Sequence, residues 1–113
     1  MYRAPSTTSL LCLEASARLG SFTAAAEELH LTQGAVSRQI QSLETRLKAR
    51  LFVRKREALV LTEAGSYYLK EVIPILQRLE RATTNVMALK GLGGDLAPSV
   101  GASIGTYWLV PRL

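Results

Sequence analysis

Apolar positions in the first 62 residues fall into three helix-spaced groups followed by two short strand-like runs. In the first group Leu10, Leu13 and Ala17, with Leu11 and Ala15 nearby, recur at the three- and four-residue steps of a helix that buries one face. Ser9 is placed to cap its start, and Gly20 supplies a left-handed stop. Ser21 offers the next cap, for a short helix from Phe22 to Leu29 whose Ala24-Ala25-Ala26 run presents little side chain and lets another helix come close. After His30-Leu31, Thr32 offers a third cap. Val36, Ile40, Leu43 and Leu47, spaced four, three and four, then predict a longer helix from Gln33 to about Leu47. Residues 51–54 and 58–61 read as two short strands, with Lys55-Arg56-Glu57 as a charged turn between them.

Beyond the hairpin the period changes. Thr62 caps a segment in which Leu69, Val72, Leu76, Leu79, Thr83 and Val86 step alternately by three and four, a heptad seam on a helix from Glu63 to about Lys90. Pro74 lies inside it, removes one amide and predicts a bend near residues 70–74. Gly91, Gly93 and Gly94 read as a linker, Leu96 to Ala102 as a strand and Trp108 to Leu113 as the stub of a helix. That ending is apolar for a solvated tail, and the chain reads as cut there. The pattern divides the sequence into residues 1–62, 63–90 and 91–113.

Charge singles out the first of these parts. The 113 residues carry a net charge of +5, which favours an anionic partner. Residues 1–62 hold +4 of it, and within residues 38–56 seven cations (Arg38, Arg46, Lys48, Arg50, Arg54, Lys55 and Arg56) oppose Glu44 alone. One sign dominates, so this is more than the mixed charge of an ordinary solvated face. Aromatic residues make up 6% of the chain. That is a poor supply for stacking unpaired bases, and duplex DNA fits better than single-stranded RNA. One cysteine, Cys12, leaves no intramolecular disulfide or multi-cysteine zinc site and fits a reducing cytoplasm. The start lacks the apolar stretch of a signal peptide, and no run reaches the roughly 18 apolar residues of a membrane helix. The expectation is a protein of the cytoplasm and nucleoid that engages no membrane.

The second and third helices, joined by a short turn, form a helix-turn-helix, in which the first helix braces on the phosphate backbone and the second enters the major groove. At about 100° per residue, Val36, Ile40, Leu43 and Leu47 share one side of the third helix, and Gly34, Arg38, Gln41 and Thr45 lie opposite. Arg38 can contact guanine O6 and N7 with both arms of its fork, Gln33 and Gln41 can pair with adenine, and Thr32 and Ser37 can reach phosphate. Gly34 costs helix propensity but removes a side chain where backbone could approach a phosphate.

These residues resemble the winged helix-turn-helix of the LysR-type transcriptional regulators. The likeness spans residues 10–65. It is carried by Gly20-Ser21-Phe22-Thr23, Ala25-Ala26-Glu27-Glu28-Leu29, Thr32-Gln33-Gly34-Ala35-Val36-Ser37-Arg38-Gln39-Ile40, Leu43-Glu44, Leu51-Phe52-Val53-Arg54 and Leu61-Thr62-Glu63-Ala64-Gly65. The resemblance implies a mainly α fold with a β-hairpin wing, a linker helix that packs on its partner in a homodimer, and the start of an α/β effector domain; full-length members often form tetramers. It implies DNA contacts from Ser21, Thr23, Thr32, Gln33, Gly34, Ala35, Ser37, Arg38 and Gln41, and from the wing residues Arg54, Lys55 and Arg56. Ser103 with Trp108 to Leu113 is similar to the subgroup typified by the activator of the glycine-cleavage system. Three positions depart from the family pattern. Lys48 stands where a glycine is usual, Glu57 where many members carry a minor-groove arginine for which Arg56 or Lys55 would substitute, and Pro98 inside the first effector-domain strand.

The remaining candidates have plainer readings. His30 is expected to be a partly exposed turn residue, Cys12 a small core residue, Gly91-Leu92-Gly93-Gly94 a linker rather than a phosphate loop, and Tyr67 and Tyr68 packing residues. Ser103 matches a ligand-contacting position of the family, but the lobes that would hold a small-molecule effector belong to a full-length protein. No cofactor or metal is expected. The sequence holds no carboxylate pair, no nucleophile with its base and no metal cluster, which argues against an enzyme. The alternative reading is a helical interaction module that uses the 69-to-86 seam and whose basic surface is incidental.

Overall fold

The computed structural model describes residues 4–94. The strand expected at 96–102, with Pro98, the residues around Ser103 and the helix stub at 108–113 lie outside the described residues. The elements in chain order are α1 (Thr7–Leu19), α2 (Phe22–Leu29), α3 (Gln33–Leu47), β1 (Phe52–Lys55), β2 (Ala58–Leu61) and α4 (Glu63–Gly94). The chain forms two units, Met1–Ile73 and Pro74–Leu113.

Each helix of the first unit starts on a hydroxyl. Ser21 Oγ accepts from Ala24 N–H at 3.1 Å, and Thr32 Oγ1 from Ala35 N–H at 3.0 Å. Thr62 Oγ1 accepts from Gly65 N–H at 2.9 Å. A cap of this kind stabilises its helix by about 1 kcal/mol. The cap of α1 corrects the expectation. Ser6, not Ser9, is the N-cap, accepting from Ser9 N–H at 3.2 Å, while Ser9 Oγ donates back to Ser6 C=O at 2.7 Å. Both serines are suitable caps, and the buried face decides between them: Ser9 is buried in the first turn of the helix.

That buried face is also more polar than the apolar periodicity suggested. Ser9, Cys12, Leu13 and Ser16 occupy it together with Ala15, while Leu10 and Ala17 are half-buried. Small side chains let α1 lie close to Ala25 and Ala26 of α2 and to Val36, Ile40 and Leu43 of α3. Burial of the larger ones is worth about 1.5–3 kcal/mol each. Burial also pushes the Cys12 thiol up to about 11, so the only cysteine is a neutral core group at physiological pH.

Leu51, Phe52 and Leu59 close the core from the wing side, with the Phe52 ring edge-on to Phe22 at 5.6 Å between centroids. The hairpin pairs Phe52 with Leu61, Val53 with Val60, Arg54 with Leu59 and Lys55 with Ala58. This moves the expected first strand on by one residue and shortens the turn to Arg56-Glu57. Both turn residues have positive φ (52° and 68°), the backbone of a two-residue type I′ turn. Leu51 is left outside the ladder.

The last element of the first unit, α4 up to Ile73, contributes buried Val72 and half-buried Leu69 and Tyr68. Tyr67, expected to pack, is exposed because its neighbour takes the inward direction. In the second unit α4 runs from Pro74 to Gly94, so the helix continues through the glycines read as a linker. Its helical turns persist there even though glycine costs about 1 kcal/mol per residue relative to alanine.

Gly65 lies where α4 crosses the entrance of the wing. A Cβ built on it would fall 2.2 Å from the Leu51 carbonyl oxygen and 2.9 Å from Leu61 Cδ2. Backbone cannot yield as a side chain can. Gly65→Ala is therefore expected to destabilise the chain by about 3 kcal/mol, read as a lower urea midpoint at an unchanged slope.

Candidate nucleic-acid interface

The outward side of α3 is assembled by the opposite side. Because Val36, Ile40 and Leu43 are buried, Gly34, Arg38, Gln41 and Thr45 are exposed, as are Thr32 and Gln33 at the helix start. Ala35 and Ser37 are half-buried beside them. An open groove along this face is lined by Ala35, Arg38, Gln39, Gln41, Ser42 and Thr45. A second groove shares Gln41 and Thr45 with the first and continues over Lys48, Ala49 and Arg50. The structure thus brings Arg38 and Gln41 onto one strip of polar donors and acceptors. It extends that strip to Ser42, Lys48 and Arg50, which sequence reading did not place in the site. Arg50 and Lys48 were visible only as part of the basic run, since both fall after the helical period ends.

Two further groups flank α3. Ser21 and Thr23 sit at the start of α2, Ser21 half-buried because its hydroxyl is occupied in capping and Thr23 exposed. On the wing, Arg54, Lys55 and Arg56 are all exposed, Arg54 and Lys55 on β1 and Arg56 in the turn.

The turn between α2 and α3 is set by His30, exposed and left-handed at φ 59°. Its amide and that of Leu31 return to the carbonyls of Glu27 and Ala26, at 3.4 and 2.9 Å, and end α2 within two residues of the next cap. Lys48 does the same at the end of α3 with φ 58°. There a lysine occupies a conformation that costs an L-residue roughly 1–2 kcal/mol.

Cations elsewhere are differently engaged. Arg18 on α1 forms a fork to Glu14 (2.8 Å) and also binds Glu28 of α2. Those two carboxylates, Glu14 first, hold its guanidinium well above the usual arginine range. Its charge is therefore spent between two helices. Glu44, the one acid of the basic stretch, is only 16% exposed and accepts from Leu51 N–H at 2.7 Å and Phe52 N–H at 3.3 Å. Burial pushes the Tyr68 hydroxyl up, opposed by the nearby charge of Arg46. No group of three or more His, Cys, Asp or Glu side chains that could hold a metal occurs among the described residues. No helix among them is long and apolar enough to cross a membrane.

Residues 7–66 match the family model described as bacterial regulatory helix-turn-helix protein, lysR family. The chain belongs to the LysR family. It is 44% identical over 111 residues to the glycine cleavage system transcriptional activator of Escherichia coli (strain K12), covering 98% of this chain and 36% of that protein. To the homologous activator of Haemophilus influenzae (strain ATCC 51907 / DSM 11121 / KW20 / Rd) it is 46% identical over the same shares. The chain thus spans about a third of the length of these curated relatives. Among solved structures, the DNA complex of the CbnR DNA-binding domain is similar with a TM-score of 0.67 and 32% identity, over 75% of this chain and 98% of that one. The BenM DNA-binding domain bound to catB site 1 DNA follows with a TM-score of 0.71 and 27% identity, over 75% and 96%. The order of helices and the hairpin after α3 are those of a LysR winged helix-turn-helix.

Gly34 differs from Gly65 in one respect that bears on this face. A Cβ on Gly34 would meet nothing closer than Arg38 Nη1 at 3.7 Å, an ordinary contact. The fold itself does not require glycine there. Gly34→Ala is expected to stabilise the chain by about 0.5–1 kcal/mol through helix propensity, measured as a higher urea midpoint. A lower midpoint would reveal a backbone constraint at α3's start.

Proposed function

We propose that this chain is the DNA-reading and dimer-forming part of a sequence-specific transcriptional regulator acting on duplex DNA in the cytoplasm, and that it performs no catalysis itself. The observation that carries the reading is the division of α3. One side is locked into the core by Val36, Ile40 and Leu43, and the other presents Arg38, Gln41 and Thr45 on an open strip that leads to Lys48 and Arg50. An α-helix fits the width of the major groove. In this reading Arg38 takes a guanine through both arms of its guanidinium and Gln33 and Gln41 pair with adenine, with Ala35 beside them. Thr32, Ser37, Ser21, Thr23 and the backbone at Gly34 take phosphate, and Arg54, Lys55 and Arg56 of the wing meet the flanking backbone or minor groove. The family resemblance and the DNA complexes of CbnR and BenM support this assignment.

A second copy of the chain is the partner proposed for α4. Of the heptad positions Leu69, Val72, Leu76, Leu79, Thr83 and Val86, the last three are exposed, Leu79 at 46% and Val86 at 60%. Val72 and Leu76 are buried within a single chain. Ile75 and Leu89 are exposed too, and with Leu79 and Val86 they step by four, seven and three. The open apolar stripe is therefore turned slightly from the expected seam. Two such stripes in contact would bring two α3 helices to two half-sites of a symmetric operator.

Titration of duplex DNA at two salt concentrations tests the reading directly: a steep salt dependence is expected, and a flat one would favour a protein-interaction module. Arg38→Ala should lose roughly 1–3 kcal/mol of discrimination at one base pair, whereas Arg56→Ala should lower the salt slope by about one with little change in preferred sequence. Uniform weakening by Arg38→Ala would reduce that residue to a phosphate contact.

For the dimer, Leu79→Asp is expected to give a monomer in sedimentation, since the seam would desolvate a charge without a partner. Affinity for a two-half-site operator should fall with it, and an isolated half-site should be bound about as before. A dimer that survives the substitution would place the interface elsewhere.

A further inference from the structure

Glu44 opposes its surroundings in three ways. It is the only acid among residues 38–56. It lies in the last turn of α3, where the helix dipole disfavours an anion. And in the reading proposed above, on which this inference rests, the strip beside it faces phosphate. Its geometry accounts for its place. Oε2 accepts from the amides of both Leu51 and Phe52, across a gap of only residues 48–51 between helix and wing. The same entrance is tied on its other side by Thr62, whose amide donates to Leu51 C=O at 2.9 Å and whose hydroxyl donates to Arg50 C=O at 2.6 Å. Arg50 lies over the junction, with Nε 3.7 Å from Glu44 Oε2 and Nη2 donating to Phe52 C=O at 3.4 Å, yet its side chain is 72% exposed.

We propose that Glu44 is a positioning residue for the wing. By closing the loop from α3 to Phe52 on its own carboxylate, it fixes where β1 leaves the helix, and so fixes where Arg54, Lys55 and Arg56 stand relative to Arg38. The two basic groups can then meet one duplex in one register. What Glu44 supplies is reach: an acceptor at the end of three methylene-length bonds. The negative charge is not the essential part, so a glutamine oxygen serves the two amides equally, and a shorter aspartate does not reach them.

The test compares Glu44→Gln, Glu44→Asp and Glu44→Ala in the whole chain by amide hydrogen exchange and by duplex binding. Glu44→Gln should keep the Leu51 and Phe52 amides protected, whereas Glu44→Asp and Glu44→Ala should speed their exchange about tenfold, the loss of one such bond, with Val36 and Ile40 amides unaffected. In DNA binding, Glu44→Asp and Glu44→Ala should lower the salt slope by about one while the base preference read by Arg38 persists. Added to Arg56→Ala, neither should lower the slope much further, because both act through the wing. Glu44→Asp keeps helix and charge and stays informative if Glu44→Ala fails to fold. The proposal is overturned if protection follows charge rather than reach, if the two amides stay protected in Glu44→Ala, or if base preference is lost together with the slope. A wild-type chain that binds no duplex overturns the DNA reading and this proposal with it. Wild-type binding accompanied by any of the other three results overturns the proposal alone.

Discussion

The peptide groups around Leu51 have to find hydrogen-bond partners in a stretch that neither helix nor ladder supplies, and the way they do so ties three elements together. The Leu51 amide is taken by Glu44 of α3, and its carbonyl by the amide of Thr62 at the exit of the hairpin. Its side chain is fully buried, and Gly65 of α4 passes against its carbonyl with no room for a Cβ. Unpaired, these buried backbone groups would each cost about 1–3 kcal/mol. Paired, they decide where the hairpin leaves α3 and where α4 begins. The helix-turn-helix depends on this junction less than the wing does, because α1, α2 and α3 already share a core.

Charge is laid out to complement that frame. Arg18 is consumed between α1 and α2 by Glu14 and Glu28, and Glu44 is consumed by the wing amides. Six of the exposed cations, Arg38, Lys48, Arg50, Arg54, Lys55 and Arg56, lie on α3's outer side, at its end or along the wing. The net charge is thus less informative than its division, since a paired cation cancels against its acid in the sum, while clustered exposed cations set the local field.

Local signals explain what could be seen in the sequence. Ser21, Thr32 and Thr62 were readable as caps because a cap acts over three residues, and α2 and α3 were bounded correctly by them. The outer side of α3 followed from its period, so Arg38 and Gln41 were found from spacing alone. Longer-range constraints were not readable in this way. Ser9 was mistaken for a cap because its burial depends on α2 and α3, and the first strand of the hairpin was read one residue early, the second correctly, because the register is set by which turn closes it. Gly65 was visible as part of a family pattern, but its reason lies in the carbonyl of a residue fourteen positions earlier. The role of Glu44 was hidden for the same cause: composition counted it as one charge against seven.

The turn at Arg56-Glu57 limits how the wing can vary. A two-residue turn with both φ values positive is satisfied most cheaply by asparagine and glycine, so its present residues carry backbone strain that a neutral sequence would relieve. Substitution at the tip is consequently open, and many pairs of side chains would fold there at least as well. Length is another matter. One added residue would require either a three-residue turn with a left-handed position beside it or a slip in register. A slip would turn Phe52 and Leu59 out of the core. The wing of this chain can therefore change its chemistry residue by residue while its reach stays fixed, and a redesign that needs a longer wing has to rebuild the turn first.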